Sequence, residues 1–461
     1  MTRWATASPS TSIRSSSDGR LGSDTVSDLS EQLASFIRHA VDARMVRVEE
    51  MRRLTGGASR ETWSFDATIE HGDGRTETLP LVLQRDTRGA PKQMSRALEF
   101  RLLQAAHERG VPTPEPFLLG DASLGGVQTD GPPAEFFVVQ RLDGETLPGR
   151  LLRDERYADA RRALPAQLGR ALAQIHAMPI DAPGLDALQR PPDGVPAAAW
   201  SLERHEQIYR AIALEPHPAF ELAFRWLKER ADLTPRPPLP RVERGSSAGG
   251  RTRTRATRVF PAGRPRGERG SGDGGGDGGR ARTGEDAAAS VGANTPWGSG
   301  AGGRARTGEE GGGRNDRVLV HGDFRMGNVL FDAGGMRAVL DWELAHIGDP
   351  DEDLAWVMVR SWRFGGGQPV GGIGTREEFF AAYEAAGGAP VDPAWVRFWE
   401  VFGNLRWGII CLSQARTYLD GHSTSVELAS IGRRTAETEW ELLSLMDAPG
   451  ARSTGPGGGD A

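Results

Sequence analysis

The stretch HGDFRMGNVLFDAGGMRAVLDWE, residues 321–343, spaces a few polar side chains through a mostly apolar segment. The pair Gly334-Gly335 fits a two-residue hairpin turn with a short strand on either side. Residues equally distant from that turn face each other, which pairs Asn328 with Asp341. Opposing side chains lie about 5 Å apart. The sequence therefore predicts two oxygen ligands for one hard cation at the open end of the hairpin.

A third polar residue points to the same end of this hairpin. Asp323 lies five residues before Asn328, on the loop that leaves the preceding strand. Two oxygen donors for Mg²⁺ and one carboxylate able to accept a proton form a phosphoryl-transfer site, where metal and positioning do most of the work. The alternative is that Asn328 and Asp341 simply end a strand pair. Asp332, beside the turn, is interpreted as a hairpin-end residue.

These motifs resemble those of a known family. HGDFRMGN followed by LDWE is similar to the H-x-D-x-x-x-x-N…D signature of the aminoglycoside phosphotransferase and choline kinase-like family, relatives of the protein kinases. GDPDEDLAW, from Gly348, is similar to the G-D-P-x-x-D-L-A motif of the same family. The resemblance extends from about Met51 to Met446, and its subtype resembles the kinase-like domains fused to acyl-CoA dehydrogenases. It implies an α+β, protein-kinase-like two-lobe fold, with a small antiparallel-sheet N-lobe and a mainly helical C-lobe.

The resemblance also implies an activity and roles for the motif residues. ATP and Mg²⁺ are the implied cofactors, and the γ-phosphoryl group would pass to a hydroxyl of a small molecule. A hydroxylated acyl thioester and an aminoglycoside are both candidate acceptors. Asp323 would accept or orient the hydroxyl proton, Asn328 and Asp341 would hold the metal, and His321 would orient the catalytic loop. Arg325 is expected to meet a phosphate, to pair with Asp353, or to be a plain surface arginine.

Other acids near this motif have structural interpretations. Glu343 is expected to lie behind the metal ligands. Asp349 and Asp353 are expected to cap the following helix or to fix the loop. The aromatic residues Trp395, Trp399, Phe402 and Trp407 fall near one face of a helical segment, which favours a core stripe over a substrate pocket.

Residues upstream match the nucleotide-binding part of the family. The loop RLTGGASRETWSF would cover the phosphates through Gly56, Gly57 and Ser59, although a plain Gly-Gly hairpin turn is equally consistent with it. The segment around Gln140 to Leu142 resembles the linker whose backbone meets adenine.

One position departs from the family pattern. Gln84 stands where relatives usually carry a basic residue on the third strand, and Arg85 follows it. Adjacent strand residues point to opposite faces, so either the phosphate-binding cation is missing or a shift in register turns Arg85 inward. Glu99 resembles the helix acid that pairs with this cation, with an exposed helix acid as the alternative. The departure supports a second hypothesis, a nucleotide-binding pseudokinase that acts as an interaction module.

The composition limits which binding partners, disulfides and membrane segments are expected. The net charge of −6 argues against a global basic field for nucleic acid or membrane, and the single cysteine, Cys411, cannot form an internal disulfide. It is interpreted as a small buried apolar residue. No run approaches the about 18 apolar residues of a membrane span, so a soluble cytoplasmic protein without a membrane partner is expected.

The chain divides into segments of different character. We predict a disordered leader (1–27), an N-lobe (28–142), a C-lobe (143–446) interrupted by a disordered Gly/Arg-rich insertion (242–316), and a disordered tail (447–461). The insertion offers a weak route to RNA, but its acids and its lack of interleaved aromatic residues favour a solvated linker.

Overall fold

The computed structural model describes residues 21–54, 60–86, 94–120, 135–231 and 317–447. The predicted insertion, residues 1–20 of the predicted leader and residues 448–461 of the predicted tail lie outside these residues, as does the loop carrying Gly56, Gly57 and Ser59. The first helix begins at Leu21, seven residues before the predicted N-lobe boundary at Asp28. No helix in the described part of the chain is long and apolar enough to cross a membrane.

The described residues form two compact units, and the smaller one is a sheet covered by a helix. Its elements are α1 (Leu21–Ala40), β1 (Ala43–Leu54), β2 (Arg60–His71), β3 (Thr76–Asp86), β4 (Pro116–Gly120) and β5 (Phe136–Gln140). The strand order is β1-β2-β3-β5-β4, and the pairs β1–β2, β2–β3 and β3–β5 are antiparallel. Leu33 and Ile37, four residues apart on α1, are fully buried against this sheet.

The larger unit is mainly helical. Its elements are α2 (Arg96–Glu108), α3 (Pro148–Arg153), α4 (Ala158–His176), α5 (Ala197–Ile212), α6 (Pro218–Ala231), β6 (Val318–Val320), β7 (Val329–Asp332), β8 (Gly335–Val339), β9 (His346–Gly348), α7 (Pro350–Trp356), α8 (Arg376–Ala385), α9 (Pro393–Leu419), α10 (Val426–Gly432) and α11 (Thr435–Asp447). Strand β6 pairs with β9, and β7 pairs with β8. Helix α2 belongs to this unit, whereas the sequence placed it with the sheet.

Helix α9 carries much of the core of the larger unit. Asp392 caps its first turn by accepting from the Ala394 N–H at 2.9 Å, and Pro393 occupies the first helical position. The predicted aromatic stripe is buried throughout: Trp395, Trp399, Phe402 and Trp407. Cys411 is fully buried as well. The core interpretation of these residues is confirmed, and so is the predicted α+β class.

Candidate active site

The hairpin of β7 and β8 forms, but its turn differs from the predicted one. Asp332 pairs with Gly335, so the turn residues are Ala333 and Gly334. The Asp332 side chain accepts from the Gly334 N–H at 2.8 Å, a local bond typical of aspartate in turns. Gly335 has a φ of 123°, which a residue with a Cβ rarely adopts. The predicted Gly334-Gly335 turn was therefore wrong by one residue.

The shift changes the pairing at the open end of the hairpin. The Leu340 N–H donates to the Asn328 carbonyl at 2.8 Å. Asn328 thus lies opposite Leu340, and the predicted direct opposition to Asp341 was wrong. Asp341 follows in the left-handed region, with φ 70° and ψ 61°. This backbone is costly for a residue with a side chain and concentrates at functional positions.

Asp323 is held by three side chains of the larger unit. Its Oδ1 accepts from Arg325 Nε at 3.0 Å and from Trp356 Nε1 at 2.8 Å. Its Oδ2 accepts from Asn328 Nδ2 at 2.6 Å. Asn328 also donates to the Asp323 carbonyl at 3.0 Å, which fixes the amide in one orientation. The structure thus brings Asp323, Asn328 and Arg325 together, and Arg325 pairs with this acid instead of Asp353.

His321 supports the backbone of the same loop. Its Nδ1 accepts the Asp323 N–H at 3.2 Å, and its Nε2 lies 3.1 Å from the Leu340 carbonyl. Because a carbonyl only accepts, the proton sits on Nε2 and the ring is neutral. Burial lowers the pKa of His321 and outweighs the attraction of nearby acids, beginning with Asp353. His321 therefore has the geometry of a loop-orienting residue.

Asp353 anchors the loop from the other side. Its carboxylate accepts the His321 N–H at 2.7 Å and the Gly322 N–H at 2.9 Å. His176 Nε2 lies 3.3 Å away, and His176 Nδ1 lies 2.8 Å from the Tyr383 hydroxyl. Burial disfavours the charged carboxylate, but the His176 contact and the His321 amide hold the pKa of Asp353 below its ordinary value. A charged, fully buried acid thus fixes the two residues that precede Asp323.

The buried ion pair of Arg406 and Glu352 holds the same loop through the Gly322 carbonyl. Arg406 donates to the Gly322 carbonyl at 2.9 Å and to Glu352 at 2.9 Å. Glu352 lies 3.2 Å from His346 Nε2, and the Arg406 guanidinium lies over the Trp356 ring at 4.6 Å. The segment GDPDEDLAW therefore supplies Glu352, Asp353 and Trp356 to the support of the catalytic loop.

Sequence reasoning missed several of these supporting residues. Trp356, Arg406 and His176 were given no role, because no local spacing connects them to Asp323. The motif G-D-P-x-x-D-L-A was the available signal for Asp353, which was assigned to the helix cap or to the loop. The predicted cap belongs to Asp349, which accepts the Asp351 N–H at 2.9 Å.

Gly322 is expected to resist substitution. It has a φ of 80°, and a Cβ there would lie 2.4 Å from the Leu344 carbonyl oxygen. We expect Gly322→Ala to destabilise the fold by about 1–3 kcal/mol more than Gly194→Ala, because overpacking adds to the shared left-handed strain. Gly194 is the matched control, since its φ is 75° and no atom of the described residues lies within 4 Å of its added Cβ. Urea unfolding of both variants measures the difference, and equal losses would contradict the steric account.

Gln84 and Arg85 lie on opposite faces of β3. Leu81 and Leu83 of this strand belong to the core packed against α1, and alternation puts Arg85 on their face. Arg85 donates to Glu61 at 2.7 Å and forms an ion pair with it. Gln84 therefore lies on the face that α1 leaves open, and no shift in register turns Arg85 to that face.

Glu99 pairs within its own helix. Arg96, one turn earlier on α2, forms a buried ion pair with Glu99, and Arg96 also lies 3.8 Å from Glu343. The alternative of an exposed acid is wrong, since Glu99 is 1% exposed. Gln140 ends β5 in an exposed position, and the boundary between the two units falls between Arg141 and Leu142.

A metal site in this region would have few protein ligands. The part of the chain that the structure describes contains no group of three or more His, Cys, Asp or Glu side chains able to hold a metal ion. Mg²⁺ in phosphate chemistry usually takes only one or two carboxylates and completes its shell with water and substrate phosphates. The amide oxygen of Asn328 and the carboxylate of Asp341 are hard oxygen donors of that kind. The residues present fit Mg²⁺ bound together with phosphates.

The fold and these motifs define a class of protein. A model of the phosphotransferase enzyme family matches residues 50–242 and 305–399, more than half of the chain. The chain belongs to this family. A structure from Ralstonia eutropha, provisionally classed as an aminoglycoside phosphotransferase, is similar with a TM-score of 0.55 and 19% identity, over 90% of this chain and 98% of that chain. The predicted protein-kinase-like fold is confirmed.

Two similar curated proteins are both acyl-CoA dehydrogenase family members. Acyl-CoA dehydrogenase family member 10 of Mus musculus is 24% identical over 390 residues, which cover 79% of this chain and 27% of that protein. Acyl-CoA dehydrogenase family member 11 of Homo sapiens is 32% identical over 142 residues, 28% of this chain and 18% of that protein. The matched segments thus cover about a quarter or less of these relatives. The predicted likeness to this group is confirmed.

Proposed function

We propose that the protein is an ATP- and Mg²⁺-dependent phosphotransferase that moves the γ-phosphoryl group to a hydroxyl of a small molecule. The hydrogen bonds around Asp323 carry this proposal. An ionised carboxylate has about four lone-pair sites, two on each oxygen. Among the described residues, Oδ1 accepts two bonds, from Arg325 and Trp356, and Oδ2 accepts one, from Asn328. One site on Oδ2 therefore remains for a substrate hydroxyl.

The neighbouring side chains suit a phosphate-bound metal. A carboxylate only accepts, so the NH₂ group of Asn328 faces Asp323 and leaves the amide oxygen available as a ligand. Asp341 adds a carboxylate from the end of the same hairpin. Mg²⁺-ATP, when bound, supplies the phosphoryl group and neutralises the charge that develops on it. Asp323 then orients the acceptor hydroxyl and takes its proton at Oδ2.

The cationic groups beside Asp323 favour one acceptor class. The Arg325 guanidinium lies over the Trp362 ring at 4.7 Å, and Trp362 packs on Trp407 at 4.6 Å. Arg434 lies over the Trp407 ring at 5.6 Å. Trp362 and Trp407 are buried in the core, so the two arginines are the groups available to an acceptor, and they suit one that has a negative charge. A hydroxylated acyl thioester fits this description better than a polycationic aminoglycoside.

The test compares three acceptors, two of which differ only by the hydroxyl. Formation of ADP is measured with Mg²⁺-ATP and a hydroxyacyl thioester, the same thioester without the hydroxyl, or an aminoglycoside. We expect turnover with the hydroxylated thioester alone, and none after removal of Mg²⁺. Turnover with the aminoglycoside alone would contradict the acceptor class and leave the phosphotransferase proposal standing.

Gln84 supports a second candidate function, a nucleotide-binding pseudokinase that acts as an interaction module. A lysine at this position would restore a cation on the open face of β3, and a hydrogen bond to a charged group contributes about 1.5–3 kcal/mol. We therefore expect Gln84→Lys to tighten ATP binding by about tenfold or more. Calorimetric titration with ATP measures the change.

Thr78→Lys is the matched control for this substitution. Thr78 is an exposed residue of the same strand and, by alternation, of the same face. Thr78→Lys adds the same charge six positions away on β3. The ATP affinity of this variant should therefore stay close to wild type. Equal ATP affinity in wild type and Gln84→Lys would show that residue 84 does not meet the phosphates. ATP binding without turnover in either protein would favour the pseudokinase.

A further inference from the structure

His346 of β9 has a hydrogen-bond acceptor at each nitrogen of its ring. Its Nδ1 lies 2.9 Å from the Leu344 carbonyl, and its Nε2 lies 3.2 Å from Oε2 of Glu352. A carbonyl only accepts, so Nδ1 carries a proton. The Glu352 carboxylate is kept ionised by Arg406, which donates to its other oxygen at 2.9 Å, so it accepts as well. Both ring nitrogens therefore carry protons, and His346 is an imidazolium.

The charges around His346 favour this cation. Burial lowers the pKa of His346, but attraction to Glu352 and the hydrogen bonds to Glu352 and Leu344 together raise it above its ordinary value, against repulsion by Arg406. Strand β6, which pairs with β9, carries only valine and leucine side chains. The charged or titratable side chains that line a cavity together with His346 are Arg204 and His205 of α5, Glu343, Glu352 of α7 and Arg406 of α9.

His346 is connected to the catalytic loop through two further side chains. Glu352 faces His346 with one oxygen and Arg406 with the other. The second terminal nitrogen of Arg406 donates to the Gly322 carbonyl at 2.9 Å, directly before Asp323. The side chains of His346 and Glu352 are 12% and 5% exposed, and a buried ion pair of this kind is screened little by salt.

Loss of one ring proton would break this arrangement. A neutral imidazole donates at one nitrogen only, so either the Leu344 carbonyl or the Glu352 carboxylate loses its donor. In both cases the positive charge opposite Glu352 disappears. The carboxylate then keeps Arg406 but is no longer fixed from the side of His346, and the guanidinium that holds Gly322 can move with it.

We propose that His346 is a positioning residue for the catalytic loop, whose imidazolium fixes Glu352 and, through Arg406, the carbonyl of Gly322. The protonated form is then the active form, and kcat falls as the pH rises through the titration of His346. This effect on kcat rests on the proposed phosphotransfer. The charge of His346 and its hold on the loop do not depend on that proposal.

The charge is measured by NMR of the full chain labelled with ¹³C at histidine Cε1. The resonance of His346 is the one absent from His346→Gln. We expect its titration midpoint above about 6.5, the ordinary value for histidine. Glu352→Gln should lower the midpoint by about one pH unit or more, because the attraction is removed and the repulsion by Arg406 remains. A midpoint at or below the ordinary value, or one unchanged in Glu352→Gln, would overturn the proposal.

The hold on the loop is measured by hydrogen exchange, which needs no turnover. The amides of residues 321–323 should exchange about tenfold faster in His346→Gln than in wild type, because the loop opens more often. His422→Gln is the matched control, since it removes an exposed histidine between α9 and α10. Equal exchange of these amides in all three proteins would overturn the positioning role.

The pH profile of kcat separates positioning from a purely structural role. Wild type and His422→Gln should lose about tenfold in kcat as the pH rises through the midpoint found by NMR, whereas His346→Gln should be low and level across that range. A profile of His346→Gln that falls like wild type would overturn the proposal. Absence of turnover in wild type would count against the proposed function alone, because NMR and hydrogen exchange still decide the role of His346.

Discussion

Replacing Asp323 by Asn is expected to lower kcat by about 10²–10⁴-fold, the usual contribution of a positioned proton acceptor. The amide keeps the shape of the carboxylate, so the fold should remain close to wild type, but its NH₂ faces the NH₂ of Asn328 and turns that amide, so the affinity for Mg²⁺-ATP should fall as well. The chemical loss is large because Oδ2 is the atom with a lone pair available to the substrate hydroxyl. Steady-state kinetics with saturating ATP measures the effect.

Asp332→Asn is the matched control for this experiment. Asp332 belongs to the same hairpin, where its carboxylate accepts from the Gly334 N–H and lies 3.5 Å from Arg337. Its side chain is 42% exposed and outside the proposed chemistry. The control should retain wild-type kcat. A kcat for Asp323→Asn within a few fold of that control would remove Asp323 from the mechanism.

The second large effect is expected on stability. Asp353→Ala should lower the free energy of unfolding by about 3–5 kcal/mol, because each buried donor left without its acceptor costs about 1–3 kcal/mol. The change leaves the amides of His321 and Gly322 and the ring of His176 without their common acceptor. Urea or thermal unfolding measures the loss, and kcat should fall as well because the catalytic loop loses its anchor.

Asp186→Ala tests whether that loss is specific. Asp186 is exposed, so its removal should change stability by no more than about 0.5 kcal/mol. The anchor role of Asp353 would be wrong if its variant were as stable as this control.

Local signals in the sequence were sufficient for much of the fold. The spacing of Leu33 and Ile37 is itself typical of one face of a helix, and the aromatic stripe from Trp395 to Trp407 predicted a buried face on a helix. Both depend on contacts that repeat every turn, so the sequence displays them directly. The order of the motifs around Asp323 likewise predicted the family.

Register and long-range pairing were harder to predict. The hairpin turn moved by one residue because the Asp332 side chain captures the Gly334 amide, a contact that competes with the Gly-Gly pattern. Trp356 reaches Asp323 across 33 positions, and Arg406 reaches Gly322 across 84. Such contacts follow from how helices pack, which the spacing of residues does not encode. The pair Arg96–Glu99 is the opposite case, because residues three apart on one helix are neighbours and the spacing displays them.

Asp323 is proposed to serve phosphoryl transfer to a small-molecule hydroxyl. The most direct measurement is ³¹P NMR of the full chain with ATP and a panel of hydroxylated acyl thioesters, with and without Mg²⁺. We predict a new phosphate-ester resonance alongside ADP, present only with Mg²⁺ and absent in Asp323→Asn. Binding of Mg²⁺-ATP with no ADP formed with any acceptor, water included, would contradict the account.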